Sequence, residues 1–236
     1  MTITLKLFEL VDGKTRQISF SPAVWRAKMA LHYKGVTYES LPLTFLDIPK
    51  VIPQTCTNIA APTVPTLVLE DGQGLTDSFA IAEYLEEKYP DRPSLFGVNP
   101  SEKNLQRFFE SYVQSKLHPS IQRMVYEDMY NMQDDDNAHY FRSSREKSSG
   151  RPYHLIAGDR VENLRELREN LGLIHTALRG GGWILGTHPG WADFVLASSM
   201  VWFNACSPKD FEEGFLDAFE DQVIRNYWIK VQQYVY

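Results

Sequence analysis

The spacing of apolar positions divides the chain into two parts. Ile3 to Leu10 mixes β-branched and aliphatic residues and predicts a first strand, closed by a turn at Val11-Asp-Gly-Lys14. Pro22 to Lys34 predicts a helix, with Val24, Ala27 and Leu31 on one face. Lys28, His32 and Lys34 lie toward its C-terminus, where positive charge is favourable, and Gly35 stops it. Val36 to Leu43 reads as a second strand. Thr44 to Pro62 carries three prolines and reads as irregular, with room for one short helical turn. Thr66 to Glu70 is a third strand, Asp71-Gly72 a hairpin turn, and Gly74 to Thr76 a short fourth strand. Asp77 to Tyr89 is a helix with Ile81, Leu85 and Tyr89 in register, ended by Pro90.

Beyond Tyr89-Pro-Asp-Arg-Pro-Ser94, which reads as a linker, the period changes. Ser101 to Met129 has helical spacing, including Leu105, Phe108, Phe109, Tyr112 and Val113. Val161 to Leu178 places Leu164, Leu167, Leu171 and Ile174 on one stripe. Trp191 to Cys206 is apolar nearly all round and predicts a buried helix. Ile224 to Tyr236 predicts a terminal helix, and the acidic run Asp134–Asp136 a solvated loop between helices. No strand-like alternation of any length follows residue 100. The expected fold is therefore an α/β unit of strand, helix, strand, hairpin and helix over residues 1–89, a linker over 90–100, and an all-helical domain over 101–236.

Composition narrows the function classes. The 236 residues are 43% hydrophobic and 23% charged, ordinary for a globular protein, and 13% aromatic, which points to a ring-rich core or pocket. A net charge of -6 argues against nucleic acid as the main partner, because phosphate binding needs a basic face. The N-terminal stretch lacks the basic and long apolar regions of a secretion signal, and no window has the run of apolar residues a membrane span needs. A cytoplasmic protein is the expectation. Cys56 and Cys206 form no metal or redox spacing, and the six histidines are scattered, so no metal site is expected.

Candidate chemistry concentrates in three places. In Ser19-Phe-Ser-Pro-Ala-Val-Trp-Arg-Ala-Lys28, Ser21 suits a helix N-cap and Pro22 the first helical position. A hydroxyl there sits in the positive field of the helix end among free N–H donors, where a thiolate or another anion is held. Ser19 is a second hydroxyl in the same turn. Asp77-Ser78 opens another helix with a carboxylate and a hydroxyl, and Val64-Pro65 is an extended segment between the two. Taken alone, Ser21 reads more readily as a plain cap; the other two elements in this order favour one small polar site for a peptide-like thiol. Cys56 is the rival nucleophile, but no proline-capped helix follows it to lower its pKa. Arg179-Gly-Gly-Gly-Trp183 lacks the Gly-Lys-Ser/Thr ending of a phosphate loop and reads as a turn.

These elements resemble a cytosolic glutathione transferase. Gly190-Trp-Ala-Asp-Phe194 resembles that family's capping box at the start of a central buried helix, with Gly190 where a hydroxyl residue is usual and Asp193 able to accept from the Gly190 N–H. Ser-Pro-Ala-Val-Trp-Arg-Ala-Lys28 and Ile81-Ala-Glu-Tyr-Leu-Glu-Glu-Lys-Tyr-Pro-Asp-Arg-Pro93 resemble the etherase-like branch, a fungal class related to bacterial lignin β-etherases. The resemblance implies a thioredoxin-like first domain of order βαβαββα, glutathione as co-substrate, and a homodimer. It implies a cis Val64-Pro65 peptide whose Val64 backbone pairs with the cysteinyl unit, where an ordinary trans proline is the general rule. Asp77 is then expected on the γ-glutamyl ammonium, with reach shortened by one methylene against the family's usual Glu, and Ser78 on the carboxylate; a plain cap by Asp77 is compatible with both. Lys50 or Gln54 is the candidate for the glycyl carboxylate. Ser21 would stabilise the thiolate for attack on small hydrophobic aromatic electrophiles or activated ethers. Phe20, Trp25, Tyr112, Tyr126 and Tyr130 are candidates for a pocket between the domains, each also readable as core. The rival function is a ligand-binding protein that sequesters aromatic compounds. A thiol-disulfide reductase is disfavoured because Ser21 stands where such relatives carry cysteine.

Overall fold

The computed structural model describes residues 5–56 and 58–235, so Ile3 at the start of the expected first strand and Tyr236 at the end of the expected last helix lie outside the described residues. Strand β1 (Leu5–Leu10) is central. It pairs in parallel with β2 (Tyr38–Leu43) and antiparallel with β3 (Thr66–Val68), and β4 (Gly74–Thr76) completes a sheet of order β2-β1-β3-β4. Alternate residues of a strand face opposite sides. Leu5 and Leu7 accordingly join the main core with helices α1 (Pro22–Tyr33) and α3 (Ser78–Lys88), while Phe8 packs with Leu43, Ile52, Cys56 and Val68 on the other side. Helix α2 (Ile48–Thr55) covers that second face. The unit thus runs βαβαββα, the thioredoxin-like order the resemblance implies.

Two expectations are corrected here. The stretch after Thr44 holds two full helical turns rather than one short one: Pro49 sits in the first turn, where its missing N–H costs nothing, and the burial of Ile52 on Phe8 outweighs the helix-breaking Pro53. The third strand is shorter than expected and ends at Val68, although the Leu69 N–H still bonds the Gln73 carbonyl at 2.8 Å.

The rest is helical. Helix α4 (Pro100–Tyr112) opens on a cap in which Glu102 accepts from the Asn99 N–H and, at 2.7 Å, from the Val98 N–H. It passes into a wide, π-type turn at Val113–Leu117 and on into α5 (His118–Asn131). Pro119 has no N–H and its ring crowds the carbonyl four residues back, so a local widening just upstream is where the strain is relieved. The acidic run expected as a loop instead starts α6 (Asp135–Ser149): Asp134 caps it, accepting from the Asn137 N–H at 2.9 Å, with Asp135 and Asp136 at the positive end of the dipole. Then follow α7 (Arg160–Leu178), the buried α8 (Trp191–Cys206), the single turn α9 (Pro208–Asp210) leading into a second wide turn at Phe211–Leu216, and α10 (Val223–Val231) with a terminal 3-10 turn to Tyr234. One apolar core runs from β1 through α1 and α8 to α10, so the α/β and helical parts share their interior.

Helix α8 carries the expected half of a capping box. The Gly190 N–H donates to Asp193 Oδ2 at 3.0 Å, and Asp193 Oδ1 also takes the Ile184 N–H at 3.0 Å and the Tyr227 hydroxyl at 2.8 Å. Burial pushes the Asp193 carboxyl above its ordinary pKa against the pull of those donors. Glycine stands at the cap because the space is taken. A Cβ at Gly190 would meet Gln106 Oε1 at 2.7 Å, and that same oxygen accepts from the Ala192 N–H at 2.9 Å. A glutamine on α4 thus replaces the hydroxyl a Ser or Thr cap would supply.

Candidate active site

The sheet register brings the three sequence elements to one end of the α/β unit. Phe8 of β1 stands opposite Thr66 of β3, which stands opposite Thr76 of β4. The loop leaving β1, the segment entering β3 and the residues leaving β4 therefore share one edge. They carry Ser21, Val64-Pro65 and Asp77-Ser78 respectively.

Ser21 is the N-cap of α1, with extended backbone, and its Oγ accepts from the Val24 N–H at 3.4 Å. The preceding loop is firmly built. Asp12, 1% exposed, accepts from the backbone N–H groups of Thr15 at 2.6 Å, Gln17 at 3.0 Å and Ile18 at 2.8 Å. Burial works to raise the Asp12 pKa, but the Ile18 and Thr15 N–H groups outweigh it and the carboxyl lies below its ordinary range. Trp25 closes the loop by donating Nε1–H to the Ser19 carbonyl at 2.8 Å, and Lys28 lies 4.3 Å from the Trp25 ring while pairing with Glu9 at 3.0 Å. Ser19 thus serves the loop through its backbone carbonyl, and Trp25 pins the turn two residues before Ser21.

The Val64-Pro65 peptide is cis. Asp77 caps α3: its Oδ1 accepts from the Phe79 N–H at 2.9 Å and the Ala80 N–H at 3.0 Å. Its backbone sits at φ 75°, a left-handed conformation that L residues avoid and that marks sites where structure is held against preference. Ser78 begins the helix and is 4% exposed. Lys50 and Gln54 are exposed on α2. Cys56 ends that helix and is buried, and burial pushes its thiol pKa up, away from a nucleophilic role.

The five aromatic pocket candidates separate. Phe20 packs edge-on to Phe45, which meets Phe141 of α6, and Phe141 in turn meets Tyr126 and Tyr153. Tyr130 joins through Tyr153. Phe20, Tyr126 and Tyr130 therefore belong to one ring cluster where the α/β and helical parts meet, next in sequence to Ser21. Trp25 instead lines a cavity of about 450 Å³ between α1, β2 and the C-terminal Tyr234. Tyr112 faces a groove between α4 and α7, its hydroxyl bonded to the Asn170 carbonyl at 2.6 Å. Sequence reasoning missed Phe45, Phe141 and Tyr153, which lie in an irregular stretch and in or near a mostly polar helix, where no period marks them. It also missed the bond of the Leu46 N–H to Asn137 Oδ1 at 3.1 Å, which ties α6 to the loop beside the site. Among the described residues no cluster of metal-ligating side chains occurs, and no helix is long and apolar enough to cross a membrane.

A thioredoxin-like unit with a cis-proline before its third strand, joined to an all-helical unit through a shared core, defines the class. Residues 20–88 match the glutathione S-transferase N-terminal domain and residues 104–234 the C-terminal domain. The chain belongs to the glutathione S-transferase family. It is 34% identical to a maleylacetoacetate isomerase of Pseudomonas aeruginosa over 101 residues, 42% of this chain and 47% of that protein. It is 41% identical to a zeta-class glutathione S-transferase of Euphorbia esula over 76 residues, 32% of this chain and 33% of that protein. The chain spans less than half the length of these curated relatives. Its fold matches the glutathione transferase GSTFuA3 of Phanerochaete chrysosporium at a TM-score of 0.83 and 24% identity, covering 99% of this chain and 96% of the other. It also matches a Ceriporiopsis subvermispora glutathione S-transferase solved in complex with glutathione, at 0.82 and 22%, covering 98% of both chains.

Proposed function

We propose that this protein is a glutathione transferase of the etherase-like branch, with Ser21 stabilising the glutathione thiolate. The observation that carries this is the geometry of Ser21. Among the described residues its oxygen takes only a long bond from Val24, which leaves its O–H to donate to sulfur at the positive end of α1. The hydrogen bond and the helix end contribute about 1 kcal/mol each, together about one to two units of thiol pKa. The serine stays neutral. The Val64 backbone pairs with the cysteinyl unit as a short added strand, the Ser78 hydroxyl and N–H take the γ-glutamyl carboxylate, and Asp77 faces the ammonium. The thiolate attacks an electrophilic carbon, a C–S bond forms, and the leaving group departs with the electron pair of the broken bond. Acceptors are small aromatic electrophiles or activated ethers, in keeping with the ring cluster that begins at Phe20.

Two further readings belong with this one. Phe108 and Leu173 are 70% and 67% exposed at the α4–α7 groove, and Leu105, three residues before Phe108 on α4, is 57% exposed, an apolar face suited to a second copy of the chain and hence to a homodimer. Both cysteines are free thiols, in keeping with a reducing, cytoplasmic setting.

The test is Ser21→Ala. The apparent pKa of enzyme-bound glutathione, read from thiolate absorbance against pH, is expected to rise by about one unit, with kcat/KM at neutral pH down about tenfold. An unchanged thiol pKa overturns the role given to Ser21. Tight binding of aromatic ligands by a wild type that conjugates no acceptor would favour the carrier instead.

A further inference from the structure

The cavity along the later turns of α1 has no part in this mechanism. Trp25, Lys28 and His32 line it, and their spacing of three and four residues sets them on one face of the helix. Val24, Ala27 and Leu31 are buried on another. A helix rises about 1.5 Å per residue, so Lys28 and His32 lie about 10 and 16 Å from Ser21 along the axis. None of Ser21, Val64, Pro65, Asp77 and Ser78 lines the cavity.

Its walls are rings. Trp25 of α1, Tyr38 at the start of β2 and Tyr234 all face it. Tyr234 is fixed by the rings of Trp183 and Phe194, with centroids 5.9 and 5.7 Å away, and His32 meets it edge-on at 6.2 Å. A space of about 450 Å³ with such walls suits a flat molecule of one or two aromatic rings.

Charge selects the kind of molecule. The lining holds a lysine and a histidine and no acidic side chain. Lys28 gives one donor to Glu9 at 3.0 Å, and an ammonium has three. Glu9 lies behind the wall: it is 6% exposed, and its other oxygen takes the Ser40 hydroxyl. Burial, and then the Glu9 charge, pushes the Tyr38 phenol up to about 12, so near neutral pH it is an uncharged donor and not a repelling phenolate. We propose that this cavity is a second small-molecule site, separate from the glutathione site, for an aromatic carboxylate. The ring system lies against Trp25 and Tyr234, and the carboxylate meets the Lys28 ammonium with His32 and Tyr38 beside it.

The test is calorimetric titration with 2-naphthoate and with its neutral amide, 2-naphthamide, each with and without saturating S-hexylglutathione. The wild type should bind one naphthoate per chain under both conditions, and the amide at least fivefold more weakly. His32→Glu places a carboxylate on the cavity face and should weaken naphthoate at least fivefold while changing the amide less than twofold. Thr37→Trp fills the space and should weaken naphthoate at least fivefold. Both residues are exposed and line the cavity, and the two changes act by charge and by volume, so either variant carries the test if the other does not fold. The proposal is overturned by a wild type that binds no naphthoate or prefers the amide. It is equally overturned by naphthoate binding that S-hexylglutathione abolishes or that either folded variant leaves unchanged. A wild type that binds no S-hexylglutathione defeats the glutathione reading instead, and the two variants still decide this site.

Discussion

The role proposed for Ser21 requires its loop to hold still, and at the residue scale that task falls to Asp12. Three backbone N–H groups and the Thr15 hydroxyl converge on its carboxylate. Replacing it with alanine leaves those donors buried without a partner, and the stability loss is expected to be about 1–3 kcal/mol at neutral pH by urea denaturation. Because the folded carboxyl is held below its ordinary pKa, its contribution is present above the unfolded value and is lost as pH falls through the folded one. The gap between wild type and Asp12→Ala should stay constant from neutral pH down to the ordinary carboxylate range and close only below it. A gap that widens toward acid would contradict this. Residues of this kind differ in how far sequence reveals them. Ser21, Asp77 and Ser78 are legible because a helix cap is a local signal. Arg26 and Glu110, an ion pair at 2.6 Å, are 84 positions apart, and no local pattern couples them.

At the scale of elements, α8 depends on a partner outside itself. Gly190 and Gln106 act as a pair: the glutamine oxygen occupies the volume of the missing side chain and takes the N–H that side chain would have taken. Gly190→Ser alone forces a clash and Gln106→Ala alone strands a buried N–H, so each should lower stability by about 1–3 kcal/mol. Together they should cost less than their sum, since the serine then has both room and a donor; a double-mutant cycle by thermal unfolding measures the difference. Strict additivity would refute the pairing. The half of the capping box from Asp193 could be anticipated from Gly190-Trp-Ala-Asp193, but the glutamine could not, because it comes from another helix. The same reason hid α6. Of its apolar residues only Ala138 and Phe141 are buried, so its apolar period is too sparse to read, and the acidic run that caps it looks like a loop.

At the scale of the whole molecule, the order of elements and the change from mixed to helical structure followed from apolar spacing, while the meeting of the two parts did not. The ring cluster from Phe20 to Tyr153 is assembled from residues of unrelated segments, and only the folded chain brings them together. The proposed self-association should depend on the exposed apolar face of α4. Leu105→Asp with Phe108→Asp, both exposed in the single chain, should leave its circular dichroism unchanged and give a monomer in sedimentation velocity; a persisting dimer would place the contact elsewhere. The wide turn at Val113–Leu117 is what allows these two sides to be addressed by one continuous helical run. An α-helix advances about 100° per residue, so a turn that absorbs extra length acts as a phase shifter. Upstream, Phe108 points outward; downstream, Tyr126 points into the ring cluster. Length gained or lost in that one turn would swing the downstream rings around the axis while leaving the upstream face where it is. The exposed apolar face and the ring cluster can therefore drift apart in evolution, although a single rod carries both.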